Sequence, residues 1–176
     1  GSRWANSGLV VEIHPEDVLS TPSNDPLALM NWIERLEGES WTQARCSLRA
    51  PAQRMTDFLS GRSSVDLPKS SYNMGLTPSR LDEWLPSFIT KRIQKAFQLF
   101  DRQTKGFLTA EAQLIALESR TSSPVRILRE STSCEHPLLR GLFPCGEGAG
   151  YAGGIMSAAM DGMKVAEAYI RSLQKR

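Results

Sequence analysis

Several things this sequence lacks narrow what it can be. It has three cysteines, Cys46, Cys134 and Cys145, isolated and odd in number, and two histidines, His14 and His136. Without a Cys-x-x-Cys pair a zinc site is not expected, and reduced thiols in an intracellular protein are the default reading. No apolar run approaches the roughly 18 residues that a membrane-spanning helix needs, and no secretory leader is visible. Charge of one sign is lacking too: 21 Lys and Arg against 19 Asp and Glu leave a formal net charge of +2, with no dense basic run. That balance points to neither nucleic acid nor a membrane surface as partner.

What is present is ordinary globular composition, 40% hydrophobic and 23% charged over 176 residues. This suffices for one domain with a core or for two small lobes. Gly1-Ser2 reads as a cloning remnant, which would mean that the sequence starts partway along a longer protein. Gly8-Leu-Val-Val-Glu-Ile13 is a β-branched apolar run and predicts a strand closed by His14-Pro15. Asp25-Pro26 predicts a helix start, with Leu29, Trp32, Ile33 and Leu36 at helical spacing. Gly38 is a candidate stop, although Trp41 and Ala44 would continue the same face.

Arg49 to Arg54 breaks the helical pattern; Met55, Phe58 and Leu59 predict a short helix stopped by Gly61. Residues 62–72 read as a loop, Thr77-Pro78 as the opening of a helical turn ending near Trp84. Pro86 begins a helix whose face runs Ile89, Ile93, Ala96, Phe97, Phe100, a stripe that belongs to a core. Residues 101–106 read as a polar turn that loosely matches a calcium loop. Gln103 and Lys105 are the wrong ligand types, and Ala112 stands where the closing acid should be, so that reading fails. Leu114 to Glu118 and Val125 to Leu128 predict two strands joined by residues 119–124. The histidines, each before a proline, read as turn residues.

The most telling stretch is Leu142-Phe-Pro-Cys-Gly-Glu-Gly-Ala-Gly-Tyr-Ala-Gly-Gly-Ile155, with five glycines between Gly146 and Gly154. Gly148, Gly150 and Gly153 satisfy G-x-G-x-x-G in a strand–turn–helix setting, where backbone N–H groups can approach a phosphate at a helix amino end. A full dinucleotide unit then needs a second strand carrying an acidic residue. Only one amphipathic helix follows, with Ile155, Ala159, Gly162, Met163, Ala166, Tyr169, Ile170 and Leu173 at its spacing, and Glu167 falls inside it. Gly162 within a helix costs up to ~1 kcal/mol relative to Ala, a cost that close packing on a sheet would offset. Arg171, Lys175 and Arg176 suit the helix's carboxyl end. Either the glycines serve another purpose, or they complete a sheet whose other strands lie outside the sequence. As a plain phosphate- or nucleotide-binding nest the loop lacks the Lys-Ser/Thr of a P-loop. A non-enzymatic interaction module is the other alternative.

Two long motifs, Glu118-Ser-Arg-Thr-Ser-Ser-Pro-Val-Arg-Ile127 and Gly141 to Ile155, resemble those of a family of uncharacterised FAD-dependent dehydrogenases, NAD(P)/FAD-dependent oxidoreductases of the glutathione-reductase-like superfamily. Trp4-Ala-Asn-Ser-Gly-Leu-Val-Val11, Arg49-Ala-Pro-Ala-Gln53 and Ser157-Ala-Ala-Met-Asp-Gly-Met163 extend the resemblance over almost the whole chain. Where the family has a glycine-rich step before Ala-Pro-Ala-Gln, this chain has Ala44-Arg-Cys-Ser-Leu48.

The resemblance implies an α/β fold, α+β in an inserted lobe: the C-terminal part of a two-lobed FAD-binding fold without its N-terminal Rossmann half. Residues 1–110 would be the inserted, substrate- or cap-like domain and residues 111–176 the return segment of the FAD domain. It also implies FAD as cofactor, hydride transfer through the flavin N5, NAD(P)H as a possible donor or acceptor, and a small-molecule substrate that the sequence does not name. The missing N-terminal half would be the chain's partner, and the fragment alone would be inactive. The cytoplasm is the expected compartment, or a plastid if the source is a plant.

Carried over by position, Gly146 and Glu147 would meet the ribityl hydroxyls or pyrophosphate. Gly148, Gly150, Tyr151, Ala152, Gly153, Gly154 and Ile155 would bring the last helix to the pyrimidine ring. Arg120, Thr121, Ser122 and Ser123 would line the isoalloxazine from the other side. No catalytic acid or base is assigned: Glu118, Arg120 and Tyr151 are the nearest titratable groups, without a proton to move. Cys145, lacking a partner, reads as a buried strand cysteine.

Overall fold

The computed structural model describes residues 2–18 and 25–174, so Lys175 and Arg176 lie outside the described residues. The chain divides into two compact units: Gly1–Val18 with Trp32–Leu117, and Leu19–Asn31 with Glu118–Arg176. In order, the elements are α1 (Pro15–Val18), α2 (Ala28–Gln43), β1 (Ala50–Arg54), α3 (Met55–Ser60), β2 (Leu76–Pro78), α4 (Leu81–Trp84), α5 (Ser87–Gln103), β3 (Gln113–Ile115) and α6 (Ile155–Leu173). None of the described helices is long and apolar enough to cross a membrane.

The first unit is built around a three-stranded sheet in the order β2-β1-β3. Strand β1 runs parallel to β2, with Ala50 opposite Leu76, and antiparallel to β3, with Ala52 opposite Ile115. This central strand is Ala50-Pro-Ala-Gln-Arg54, a composition with almost no β-forming residue, and nothing in its pattern predicted a strand. Ala52 is fully buried and Ala50 nearly so, and the strand's one long buried side chain is Gln53. Pro51 is tolerated because the ladder on that side is ending: its carbonyl still accepts from Ala116 N at 3.0 Å, and only its missing N–H goes unused.

Against the sheet lies the main core of Met55, Phe58, Leu81, Leu85, Ile89, Ile93 and Phe97. Helix α5 supplies the predicted stripe Ile89, Ile93, Phe97. Phe58 and Phe97 meet edge to face at 6.3 Å, a preferred aromatic geometry. Gly61 ends α3 in the left-handed region, φ 63°, as the sequence predicts. Gln53, buried without exposure, is satisfied within the unit: it donates to Arg62 O at 2.9 Å and Asp82 Oδ1 at 2.6 Å and accepts from Asp82 N at 3.2 Å. Burial pushes the Asp82 carboxyl up, but hydrogen bonds from Arg80 and Gln53 outweigh it and hold it below its ordinary range.

Several sequence expectations change here. Residues 8–13 form no strand and pair with none among the described residues. Val11 and Ile13 pack on the core while Val10 faces outward, and Arg92 pins the segment through Glu12 O and Asp17. Gly38 does not stop α2, which continues to Gln43. Thr77-Pro78 belongs to β2, and the helical turn opens only at Leu81. The run 114–118 forms a strand over Gln113–Ile115 only. Asp101 and Gln103 are still in α5, and Asp101 Oδ1 accepts from Gly106 N and Leu108 N, closing the turn that follows. His14 and His136 are turn residues: Asp17 accepts from His14 N, and His136 Nδ1 accepts from Leu138 N and Leu139 N.

In the second unit, residues 125–128 form no ladder, and neither do the residues leading into the glycines. Between β3 and α6 the backbone is irregular and is tied down by side chains and single cross-loop bonds. Cys145 is exposed; the buried thiol is Cys134, in a cluster with Val165, Ala168 and the half-buried Phe143. Phe143 meets Tyr169 edge to face at 5.3 Å. A Cβ added at Gly162 would meet nothing within 4 Å. Within the described residues, no sheet compensates that glycine.

Candidate functional site

The two motifs of the second unit fold onto each other. Residues 123–129 lie along the glycine loop: Ile127 N donates to Ala149 O at 3.2 Å, and Arg126 Nε donates to Gly150 O at 3.0 Å. The loop closes on itself through Gly150 N to Glu147 O at 2.9 Å and Tyr151 N to Gly146 O at 3.0 Å. Gly146 and Gly150 both hold positive φ, 72° and 81°, a region that costs other residues roughly 1–2 kcal/mol. At Gly150 the requirement is also steric, since a Cβ would stand 2.6 Å from Val125 O. Gly148 and Gly153 are different: an added Cβ meets nothing there. Their backbone is open to approach.

The loop delivers the chain into α6 at Gly154, whose extended backbone caps the helix without any side-chain capping bond. The first amides of a helix have no intrahelical acceptor and carry the positive end of its dipole. Among the described residues the side chain engaged at this end is Ser157, whose hydroxyl donates to Gly154 O at 2.9 Å. Ile155 stands 90% exposed beside it.

The residues singled out from the sequence are thus partly gathered. Gly146 to Ile155 form one continuous loop and helix start. Ser123 reaches this loop, its hydroxyl engaged within its own turn with Val125 O at 2.8 Å and lying 3.5 Å from Gly148 O. Arg120, Thr121 and Ser122 sit on an exposed bend ahead of it. The hydroxyls of Thr121 and Ser122 and the exposed Glu147 carboxylate have no partner among the described residues. Ala152 is half-buried between Tyr151 and Gly153.

Sequence reasoning missed the group that ties this assembly together. Arg129 and Asp161 form an ion pair at 2.6 Å, their side chains only 6% and 10% exposed. Arg129 also donates to Pro144 O at 2.8 Å, and Asp161 Oδ2 accepts from Gly146 N at 2.9 Å. The Tyr151 ring lies over the Arg129 guanidinium at 3.6 Å, with Arg126 at 5.0 Å, a favourable cation–π arrangement. The hydrogen bonds from Arg129 hold the Asp161 carboxyl below its ordinary range against the effect of burial, helped by Gly146 N, and the same pair raises Arg129. No motif spacing joins residues 129 and 161. The only trace in the sequence is an acid on the small-sided face of the last helix.

Comparison with known proteins gives a family for the chain through a match that ends before the glycine loop. The family model described as "FAD-dependent protein, C-terminal domain-like" matches residues 1–121. A protein of Clostridium beijerinckii named only "Uncharacterized protein" is 39% identical over 165 residues, 93% of this chain and 30% of that protein. The chain therefore spans under a third of that relative's length.

Proposed function

This chain belongs to the FAD-dependent protein, C-terminal domain-like family, and from that premise we propose that residues 1–176 form part of a longer FAD-dependent oxidoreductase. In it the second unit would meet the ribityl and pyrimidine end of the flavin. The observation that carries this reading is the glycine loop. It leaves its backbone open at Gly148 and Gly153 and leads directly into the uncapped amino end of α6. A cofactor with hydroxyls and carbonyl oxygens fits that donor set. The unpartnered Glu147 carboxylate would accept from ribityl hydroxyls. The α6 amides would donate to the pyrimidine oxygen, and Thr121 and Ser122 would face the ring system.

When bound, the flavin supplies two-electron chemistry at N5, and the protein's share is orientation and electrostatics. A helix amino end aimed at the pyrimidine ring favours the negative charge of the reduced state. The first unit, whose residues make up most of the matched family segment, would be the inserted, substrate-facing domain. The adenosine and pyrophosphate sites would come from the longer protein's remaining sequence, the partner this segment requires.

The test is the absorbance spectrum of the full-length protein, followed by addition of NADH and then NADPH. A bound-flavin spectrum that bleaches with one nucleotide is expected. The 176-residue chain alone should be colourless and bind FAD no tighter than ~1 mM. A colourless full-length protein that gains no flavin on reconstitution would sink the proposal.

A further inference from the structure

We infer that Arg129 and Asp161 are the positioning pair of the glycine loop, holding its open backbone and the amino end of α6 in the geometry that receives the cofactor. This rests on the flavin reading above. Asp161 projects from the second turn of α6, and one carboxylate serves two separate stretches: Arg129 of the strap that follows Ser123, and Gly146 N at the entrance of the loop. Arg129 in turn holds Pro144 O just before that entrance, and its guanidinium lies against Tyr151 just before the helix. Strap, loop entrance, loop exit and helix therefore converge on two side chains.

The physical case for positioning, beyond plain stabilisation, has two parts. A buried ion pair gains little net stability, because desolvation of both charges offsets their attraction; what its directional bonds supply is a specific geometry. Moreover, no strand ladder or helix fixes the backbone between β3 and α6, so these bonds do the work that regular structure does elsewhere. A loop held in place before the cofactor's charge changes needs no reorganisation when it does.

The exchange arm of the experiment does not depend on flavin. In the full-length protein, Arg129→Lys keeps a cation near Asp161 but loses the two-pronged geometry and the flat stacking surface. Asp82→Asn, at the Arg80–Asp82 pair of the first unit (2.6 Å), is the control for mere loss of a half-buried ion pair. Hydrogen exchange at the Gly146 and Tyr151 amides should accelerate at least tenfold in Arg129→Lys and not in Asp82→Asn. Flavin affinity should fall at least tenfold, and the flavin midpoint potential should shift, only in Arg129→Lys. Unchanged exchange at both amides would overturn the pair's hold on the loop. Accelerated exchange with affinity and potential at wild-type values would overturn its bearing on the cofactor while leaving the flavin reading intact. A wild-type protein without flavin would instead overturn the flavin reading, and this inference with it.

Discussion

Replacing Gly150 by alanine is the sharpest single perturbation of the glycine loop, because two independent costs fall on one methyl group. The residue sits at φ 81°, where an L side chain costs roughly 1–2 kcal/mol. The added Cβ would stand 2.6 Å from Val125 O, 3.0 Å from Arg126 Cα and 3.2 Å from Arg126 Cβ. The first two are backbone atoms, so no rotamer change relieves them, and overpacking of this kind costs about 1–3 kcal/mol. Together the expected loss is about 2–5 kcal/mol, a large share of the ~5–15 kcal/mol that holds a folded protein together. For a chain of this size that lowers the melting temperature by roughly 4–20 °C. Differential scanning calorimetry with urea unfolding provides the measurement, and Gly146→Ala provides the internal comparison. Gly146 shares the positive φ, 72°, but has open space around it, so only the conformational cost of ~1–2 kcal/mol applies. If Gly150→Ala melts with Gly146→Ala or with the wild type, the close apposition of the strap to the loop is refuted.

Other expectations follow from the same structure. Gly148→Ala adds a methyl where nothing stands within 4 Å and no positive φ is required; the melting temperature should hold within about 1–2 °C while FAD affinity in the full-length protein falls, checked by flavin titration. Asp161 has a carboxyl held below its ordinary range chiefly by Arg129. Its contribution is therefore fully present above the unfolded-state value near ~3.9 and lost as pH falls through the lower folded-state value. Acid unfolding followed by circular dichroism should show a loss of stability below about pH 4 that is smaller in Asp161→Asn. Phe58, fully buried and edge-on to Phe97, should cost about 3–5 kcal/mol as alanine, read by urea unfolding of the first unit.

How legible this protein is from its sequence varies with the range of the forces involved. Helices α3, α5 and α6 were readable because their signals are local: apolar residues at spacings of three and four, with Gly61 able to adopt the left-handed cap. The strand at residues 8–13 was wrongly expected because a β-branched apolar run reports fitness for a sheet and not the presence of a neighbour. The opposite error befell Ala50 to Arg54. This strand's first four residues are all buried, Gln53 among them, so burial does not alternate and leaves no period to detect.

Within the second unit the division is equally clear. The residues of the glycine loop and the expectation of a flavin contact there came from the sequence alone, since a crowded glycine run before a helix encodes close backbone approach, and the motifs resemble a flavoprotein family. Which of those glycines is sterically required and which lies open was decided only by tertiary structure, through the passage of Val125 and Arg126 beside Gly150. The Arg129–Asp161 pair belongs to tertiary structure as well. Its partners are 32 positions apart, and a charge-assisted bond depends on separation in space, on which spacing along the chain is silent once the backbone between is irregular.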